Sequence, residues 1–258
     1  MDLGIAGRKA IVCASSRGLG RACAEALAAE GVHVVINGRS ADTLEKARSE
    51  MAGHGANVTA VQGDVTTKEG RSALIAACGD ADILINNNAG PSPRNFLEIE
   101  HDDWIKALEG NMIAALMLVR ALVPGMRQRK FGRIVNITSA MVKTPRPPMA
   151  LSSGPRSGLT AVLKGQSIDW ARDNVTVNNL LPYIINTDRQ RWLAERMVER
   201  EGITFEQARA RQIAGVAAKR MGEAREFGAI CAFLCSALAG YISGQNINVD
   251  GGSYPALI

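Results

Sequence analysis

The amino-acid sequence predicts an α/β fold, a parallel β-sheet with helices on both faces, in a single domain over 1–258. Three observations predict it. Short β-branched runs alternate with amphipathic helical stretches from end to end, and strands joined by helical crossovers bury such runs on both sides. No Ser/Pro-rich linker and no internal repeat breaks the alternation. Apolar residues make up 47% of the 258, enough for a substantial core and too many for wholesale disorder.

Each element has its own reason. Lys9–Cys13 (KAIVC) is apolar and short, as a buried first strand is, and Ala14–Gly20 (ASSRGLG) is a turn. Arg21–Glu30 places Ala and Leu on one helical face. Val32–Gly38 is a β-branched second strand, Asp42–Gly53 a helix, Val58–Val65 a third strand and Glu69–Cys78 a helix. Ala81–Gly90 is a fourth strand ending in a polar loop. Asp102–Arg129 is a long helical stretch with a bend expected before Pro124. Arg133–Thr138 is the fifth strand, 154–172 the next helix and Val175–Pro182 the sixth strand. Arg189–Gln212 is strongly helical, Glu223–Ala237 is a helix, and Asn246–Gly252 is the last strand and turn.

Lys+Arg number 30 against Asp+Glu 25, scattered rather than run together, so a solvated surface is expected and no nucleic-acid partner. A basic protein of this kind can still favour an anionic ligand such as a phosphorylated cofactor. The five cysteines, Cys13, Cys23, Cys78, Cys231 and Cys235, are odd in number and irregular in spacing, which reads as buried thiols in a reducing compartment. The N-terminus lacks the pattern of a cleaved signal, and no apolar run approaches ~18 residues. A cytoplasmic location without a membrane partner is expected. His33, His54 and His101 read as surface residues, Trp104 and Trp192 as packing residues, and Lys143 as a solvated loop residue.

In open parallel sheets ligands bind beyond the carboxyl ends of the strands, and the informative residues fall there. Between the first strand and helix, Arg17-Gly18-Leu19-Gly20 lets the backbone approach a pyrophosphate at a helix N-terminus. The second strand ends in Asn37-Gly38-Arg39-Ser40. No acid is present to hold the ribose hydroxyls of NAD, and Arg39, with Arg17 as a second contact, suits the 2′-phosphate of NADP. Asp64-Val65 ends the third strand, where a carboxylate can accept from an adenine amino group.

Taken in order, SSRGLG, Asp64-Val65, NNAG (Asn87–Gly90), Asn111, GRIVNITS (Gly132–Ser139), VTVNN and SGQNINVDGG (Ser243–Gly252) resemble the short-chain dehydrogenase/reductase superfamily over nearly the whole chain. The resemblance implies a Rossmann-type doubly wound sheet of about seven strands. It also implies a homotetramer or homodimer, a small-molecule substrate, and a helical lid over 189–215. It places cofactor contacts at Ala14, Ser16, Arg17, Gly18, Leu19, Gly20, Asn37, Arg39, Asp64, Val65, Asn88, Ala89, Gly90, Arg156, Pro182, Ile185 and Thr187, with NADP(H) preferred over NAD(H). Two departures stand out: Ala14 occupies a family glycine, and Tyr183 follows Pro182 where the family has Gly.

Carbonyl reduction in the superfamily uses an Asn, a Ser, a Tyr and a Lys four residues after the Tyr, with the phenol as tuned general acid. Asn111 and Ser139 match. The Tyr position is Ser152 and the Lys position is Arg156, and the chain runs without a gap from there to VTVNN. A rival register placing Met149 and Ser153 at the pair needs compensating gaps. An aliphatic hydroxyl is a far weaker acid than a phenol of pKa about 10, and a guanidinium exchanges no proton. The sequence leaves three readings open. The protein is a reductase of 3-oxoacyl groups or similar ketones with a substituted acid (Tyr183, a water ordered by Ser139 and Asn111, or Lys143). Alternatively Ser139 and Arg156 hold an anion for non-redox chemistry, or the protein binds a dinucleotide or a partner without turnover.

Overall fold

The structure is a computed structural model describing residues 1–53 and 56–257, so His54 lies outside the described residues. The strands are β1 (Lys9–Val12), β2 (His33–Gly38), β3 (Val58–Gln62), β4 (Ile83–Asn86), β5 (Gly132–Ile137), β6 (Val175–Pro182), β7 (Ile185–Asn186), β8 (Gly222–Glu223) and β9 (Asn246–Val249). The helices are α1 (Gly18–Ala29), α2 (Ala41–Ala52), α3 (Lys68–Cys78), α4 (His101–Leu108), α5 (Ala114–Gln128), α6 (Ala150–Trp170), α7 (Asp188–Glu201), α8 (Phe205–Ala214) and α9 (Ala224–Cys235). Seven strands form one parallel sheet in the order β3-β2-β1-β4-β5-β6-β9, and β7 and β8 make a separate short pair. This is the doubly wound, Rossmann-like arrangement expected. Chain order reverses between β1 and β4, which opens the crevice where such sheets bind ligands.

Side chains alternate across the strands into two cores. In β1, Ala10 and Val12 pack with Cys23, Leu27 and Phe227 of α1 and α9, while Ile11 packs with Leu74, Leu118 and Leu122 of α3 and α5. Fully burying a leucine or phenylalanine contributes about 1.5–3 kcal/mol, so these two layers dominate the stability. The α1–α9 contact needs Gly228, because a Cβ there would lie 2.4 Å from the Ala22 carbonyl oxygen. The five cysteines are all buried and free.

Three expectations are corrected. The long stretch after β4 is α4, a π-helical turn at Glu109–Ile113, and α5. Its irregularity is therefore at the π turn rather than ahead of Pro124, which α5 carries within its length. The Asn88 amide donates to the Gly110 carbonyl at 3.0 Å, taking a helix acceptor and holding the wider turn. Next, α6 begins at Ala150 rather than 154. Pro155 is tolerated because it sits in the opening turns, where its missing N–H leaves only the Leu151 carbonyl without an intrahelical donor. The expected helix Arg189–Gln212 is two helices, broken at Gly202 (φ +64). Thr204 and Gln207 restart the chain with a reciprocal capping box. Apart from these, His101–Gln128 is long and apolar enough to span a membrane by length and composition alone. It is built into the core here, with Ala114, Leu118, Val119, Leu122 and Met126 buried.

Candidate functional site

The site begins at the turn after β1. Ser15 is buried there and holds the turn from inside: its hydroxyl donates to the Val12 carbonyl at 2.6 Å and accepts from the Asn37 N–H at 2.9 Å. Ala14 has φ +45, a left-handed backbone that favours glycine. Its carbonyl accepts from the Asn87 amide at 3.2 Å. Gly20 lets α1 come close, since a Cβ there would lie 2.5 Å from the same carbonyl. Gly18, φ +62, has nothing within 4 Å of a Cβ position, so the N-terminus of α1 opens onto free space. Arg17 is exposed and Ser16 half-buried at that opening, while Leu19 packs against the core. Burial pushes the Cys13 thiol up to about 12, so it is not a nucleophile.

At the end of β2, Arg39 is well exposed and its nearest carboxylate is Asp64, at 3.8 Å. Partial burial works against the charge of Asp64, but hydrogen bonds from the Thr66 N–H and hydroxyl, with Arg39 nearby, hold its carboxyl below the usual range. Several expected cofactor residues offer no free side chain. Asn37 is buried, its amide donating to the Val61 and Gly63 carbonyls at 3.1 and 3.0 Å and its oxygen accepting from the Ala14 N–H. Val65 is buried, and Ile185 is buried against Gly222. Asn88 is committed to Gly110 and to the Ala89 N–H. Any part these four play comes from the backbone they shape. Thr187 donates back to the Ile185 carbonyl, and Pro182 ends β6 beside Val249.

Four asparagines, one on each of β4, β5, β6 and β9, stand in register across the sheet. Asn86 donates to Asn136 at 2.8 Å, Asn136 to Asn179 at 2.9 Å, and Asn179 to Asn246 at 2.8 Å. The free end of this amide ladder is the Asn86 oxygen, which faces a small cavity lined also by Asn111 and Arg156. The Asn111 oxygen and the Arg156 Nε are buried there without a protein partner among the described residues. Asn111 lies in the π turn, which packs on α6 at Gly158, where a Cβ would meet the Met112 sulfur at 2.9 Å.

Ser152 and Arg156 are four residues apart on α6, so they share a face. Arg156 is buried, and its Nη1 donates to the Ile137 and Thr138 carbonyls at 2.6 and 3.1 Å. A Cβ on Gly90 would lie 3.6 Å from its Nη2. Burial pushes its pKa down to about 10, which leaves it a cation at neutral pH. Ser152 is buried and makes no side-chain hydrogen bond among the described residues. The Ser153 hydroxyl is also buried without a partner, and Met149 caps α6. Ser139, half-buried at the end of β5, accepts from the Met141 N–H at 3.1 Å, so its own proton is uncommitted.

Tyr183 follows β6, with its N–H on the Val249 carbonyl. Its hydroxyl accepts from Arg146 Nη2 at 2.8 Å, and the Arg146 guanidinium lies 5.4 Å from the ring centroid. Lys143 stands over the Tyr254 ring at 4.8 Å. Trp104 approaches Gly154 of α6, and Trp192 lies under Arg189 and Arg196. His33 is half-buried and bonded to Thr59, and His101 is exposed. Sequence reasoning missed Ser15 and Arg146. The SSR run and the TPRPP loop contain them, but only the fold shows what each side chain touches.

These residues fit a dinucleotide: a glycine turn at a helix N-terminus, a well-exposed cation at the end of β2 with only the loosely placed Asp64 near it, and a small-residue loop after β4. They define a nucleotide-binding α/β protein. Comparison takes the class further. The family model described as enoyl-(acyl carrier protein) reductase matches residues 13–254. The NADPH-dependent reductase BacG of Bacillus subtilis is 34% identical over 97% of this chain and 99% of its own length. The 3-oxoacyl-[acyl-carrier-protein] reductase FabG of Haemophilus influenzae is 32% identical over 96% and 98%. L-sorbose reductase from Gluconobacter frateurii, solved with NADPH and L-sorbose, superposes with a TM-score of 0.95 at 31% identity, covering 100% of both chains. The chain belongs to the short-chain dehydrogenase/reductase superfamily of NAD(P)-dependent oxidoreductases.

Proposed function

We propose that the protein is an NADP(H)-preferring oxidoreductase that reduces a small ketone, such as a 3-oxoacyl group, or oxidises the matching alcohol. The observation that carries this reading is the glycine turn left open at Gly18, beside an Arg39 unopposed by any acid on β2. The NADPH-dependent relatives support it.

NADPH, when bound, supplies a hydride to the carbonyl carbon. The chain's own task is to hold the carbonyl and deliver a proton. Ser139 has its O–H free to donate to the carbonyl oxygen. Ser152 and Arg156, in the places of the superfamily's Tyr and Lys, supply no proton near neutrality. Arg156 contributes a buried positive charge, which favours a developing alkoxide. Tyr183 supplies the proton: Arg146 occupies a lone pair of its oxygen, and its hydroxyl hydrogen has no acceptor among the described residues. The α7–α8 pair covers this end, with Gly215 beside the Tyr183 hydroxyl. The proposal includes a homotetramer or homodimer, supported by the exposed Ile105, Ile113 and Met117 on the α4–α5 stretch.

The test is oxidation of NADPH against a panel of ketones and 3-oxoacyl thioesters. Tyr183→Phe is expected to lower kcat by about 10²–10⁴-fold, with NADPH affinity unchanged. An undiminished kcat discards Tyr183 as the acid. A second reading, a dinucleotide-binding protein without turnover, is favoured by the absence of a phenol from α6. Tight NADPH binding with no oxidation across the panel would establish it instead.

A further inference from the structure

Four loops leave the carboxyl ends of adjacent strands β4, β5, β6 and β9, and side chains and backbone tie them into one wall. The Arg94 N–H donates to the Pro148 carbonyl at 2.9 Å, joining the loops after β4 and β5. Arg146 joins the β5 loop to Tyr183 after β6, and Lys143 joins it to Tyr254 after β9. Arg189 of α7 reaches back to the Pro91 carbonyl at 2.9 Å. Three of these ties are made by cations that meet only neutral groups: a phenol oxygen, an aromatic face and a backbone carbonyl.

Cations elsewhere on the molecule commonly have acids. Arg71 has Glu109, Arg211 has Glu201 and Arg220 has Glu226, and within the wall itself the Arg94 side chain has Asp103. Among the described residues, Lys143, Arg146 and Arg189 have no carboxylate in ion-pair range. The reason is in the sequence: the segments 87–95 and 139–149 contain no acidic residue. Apart from Asp103, which is taken by Arg94, two acids border the wall and neither serves the three cations. Asp250 accepts from the N–H groups of Gly252 and Tyr254 in its own turn. Asp188 faces the groove between α1 and α9.

Guanidinium forks held by weak neutral partners exchange them readily for an oxyanion, because charge-assisted pairs are about twice as strong as neutral ones. We propose, resting on the oxidoreductase reading above, that the substrate is a carbonyl compound bearing an oxyanion, a carboxylate or phosphate ester, bound by Arg146 and Arg189 with Lys143 adding long-range attraction. The 2′-phosphate of the cofactor is not the anion in question, since Arg39 lies beyond β2, on the other side of the switch point.

Calorimetric titration of the NADPH-loaded and the free protein tests this with two matched pairs: levulinate against its methyl ester, and dihydroxyacetone phosphate against dihydroxyacetone. The anionic member of at least one pair is expected to bind about tenfold tighter or better, and the pair showing the preference identifies the oxyanion. In Arg146→Gln/Arg189→Gln the preference is expected to vanish, while Arg172→Gln, an exposed cation in the turn after α6 that pairs with Asp169, keeps it. Equal affinity within both pairs, no binding of any probe, or a preference surviving the double variant overturns the proposal. So does its loss in Arg172→Gln, which would make it a bulk-charge effect. Binding of an acidic acyl carrier protein without discrimination among the small probes would assign the cations to a protein interface and also overturn it. NADPH oxidation followed in parallel separates the two readings, because an anion preference without oxidation defeats the oxidoreductase reading alone.

Discussion

Ala14 stands where the resemblance read from the sequence implies a glycine, and its backbone angle shows the cost. At φ +45 an L-side chain presses its Cβ toward the following carbonyl, a strain of about 1–2 kcal/mol. Its neighbours hold it there: the Asn87 amide on its carbonyl and the Asn37 oxygen on its N–H. Ala14→Gly removes the strain, and the extra entropy of glycine in the unfolded chain offsets part of the gain. A net stabilisation of about 0.5–1 kcal/mol is expected in urea unfolding; a loss of stability would show that the left-handed backbone is unstrained. Arg156 makes the complementary case. The Ile137 and Thr138 carbonyls, at and just past the end of β5, share its Nη1, and its charge has no acid partner, so it fastens the start of α6 to the end of β5. Arg156→Ala leaves those carbonyls and the space around them unfilled. A loss of about 3 kcal/mol is expected from denaturant midpoints, and a change below about 1 kcal/mol would deny the anchoring role.

At the scale of elements, the asparagine ladder does for four strands what Arg156 does for one helix. Asparagine is depleted in strands because its amide needs partners, and here each amide finds one on the next strand. Asn136 is the second rung from the crevice, donating to Asn179 and accepting from Asn86. Asn136→Leu strands two buried amides and is expected to lower stability by about 2–4 kcal/mol. It should also lower NADPH affinity, since Asn86 leads into the loop after β4. Calorimetric unfolding and NADPH titration check both, and a variant as stable as the parent would make the ladder incidental. The order of strands was legible in the sequence because β-branched runs and turns repeat. The ladder was legible only in hindsight: GRIVNIT, VTVNN and QNINV show the asparagines, but register alone makes them neighbours. The π turn at Glu109–Ile113 was not legible, because the amide that takes its Gly110 carbonyl comes from Asn88, twenty-two residues away in the chain. The division of α7 from α8 could have been read from Gly202 followed by the Thr204–Gln207 cap.

Over the whole molecule, the cofactor end was more legible than the chemical end for a physical reason. Phosphate binding needs small residues and backbone at fixed spacing, which a sequence displays directly. Proton delivery needs one hydroxyl in one place, and Arg146 on Tyr183 is visible only once two loops are folded together. Ionisation shows the same contrast between local and global properties. Lys130 and Arg127 hold the Asp173 carboxyl below its ordinary value of 3.8, and the Arg220 fork holds Glu226 at about 2. Carboxylates depressed in the folded state stabilise it above their unfolded values, and that stability is lost as pH falls below 4.5. The thiols act at the other end. Burial raises Cys13 to about 12 and Cys78 to about 11. Cys235 is raised by burial, and Cys231 by hydrogen bonding with Cys23 and by burial. A thiol kept protonated in the fold but ionised in the unfolded chain loses stability as pH rises above 9.0. Arg156 has the opposite sign, because burial lowers its folded value to about 10, well below that of an ordinary guanidinium, and deprotonation favours the fold. Burial also lowers Arg133 and Arg189, so three arginines oppose the four thiols, but Arg156 acts only above about 10, and the thiols, which ionise from 9.0 in the unfolded chain, govern the first part of the alkaline limb. Midpoints of thermal unfolding across pH are therefore expected to form a plateau that falls below 4.5 and above 9.0. Cys13→Ala should lower the plateau and flatten the alkaline fall, leaving the acid limb unchanged. An alkaline limb of the same slope in that variant would mean that the buried thiol is not among the groups that titrate on unfolding.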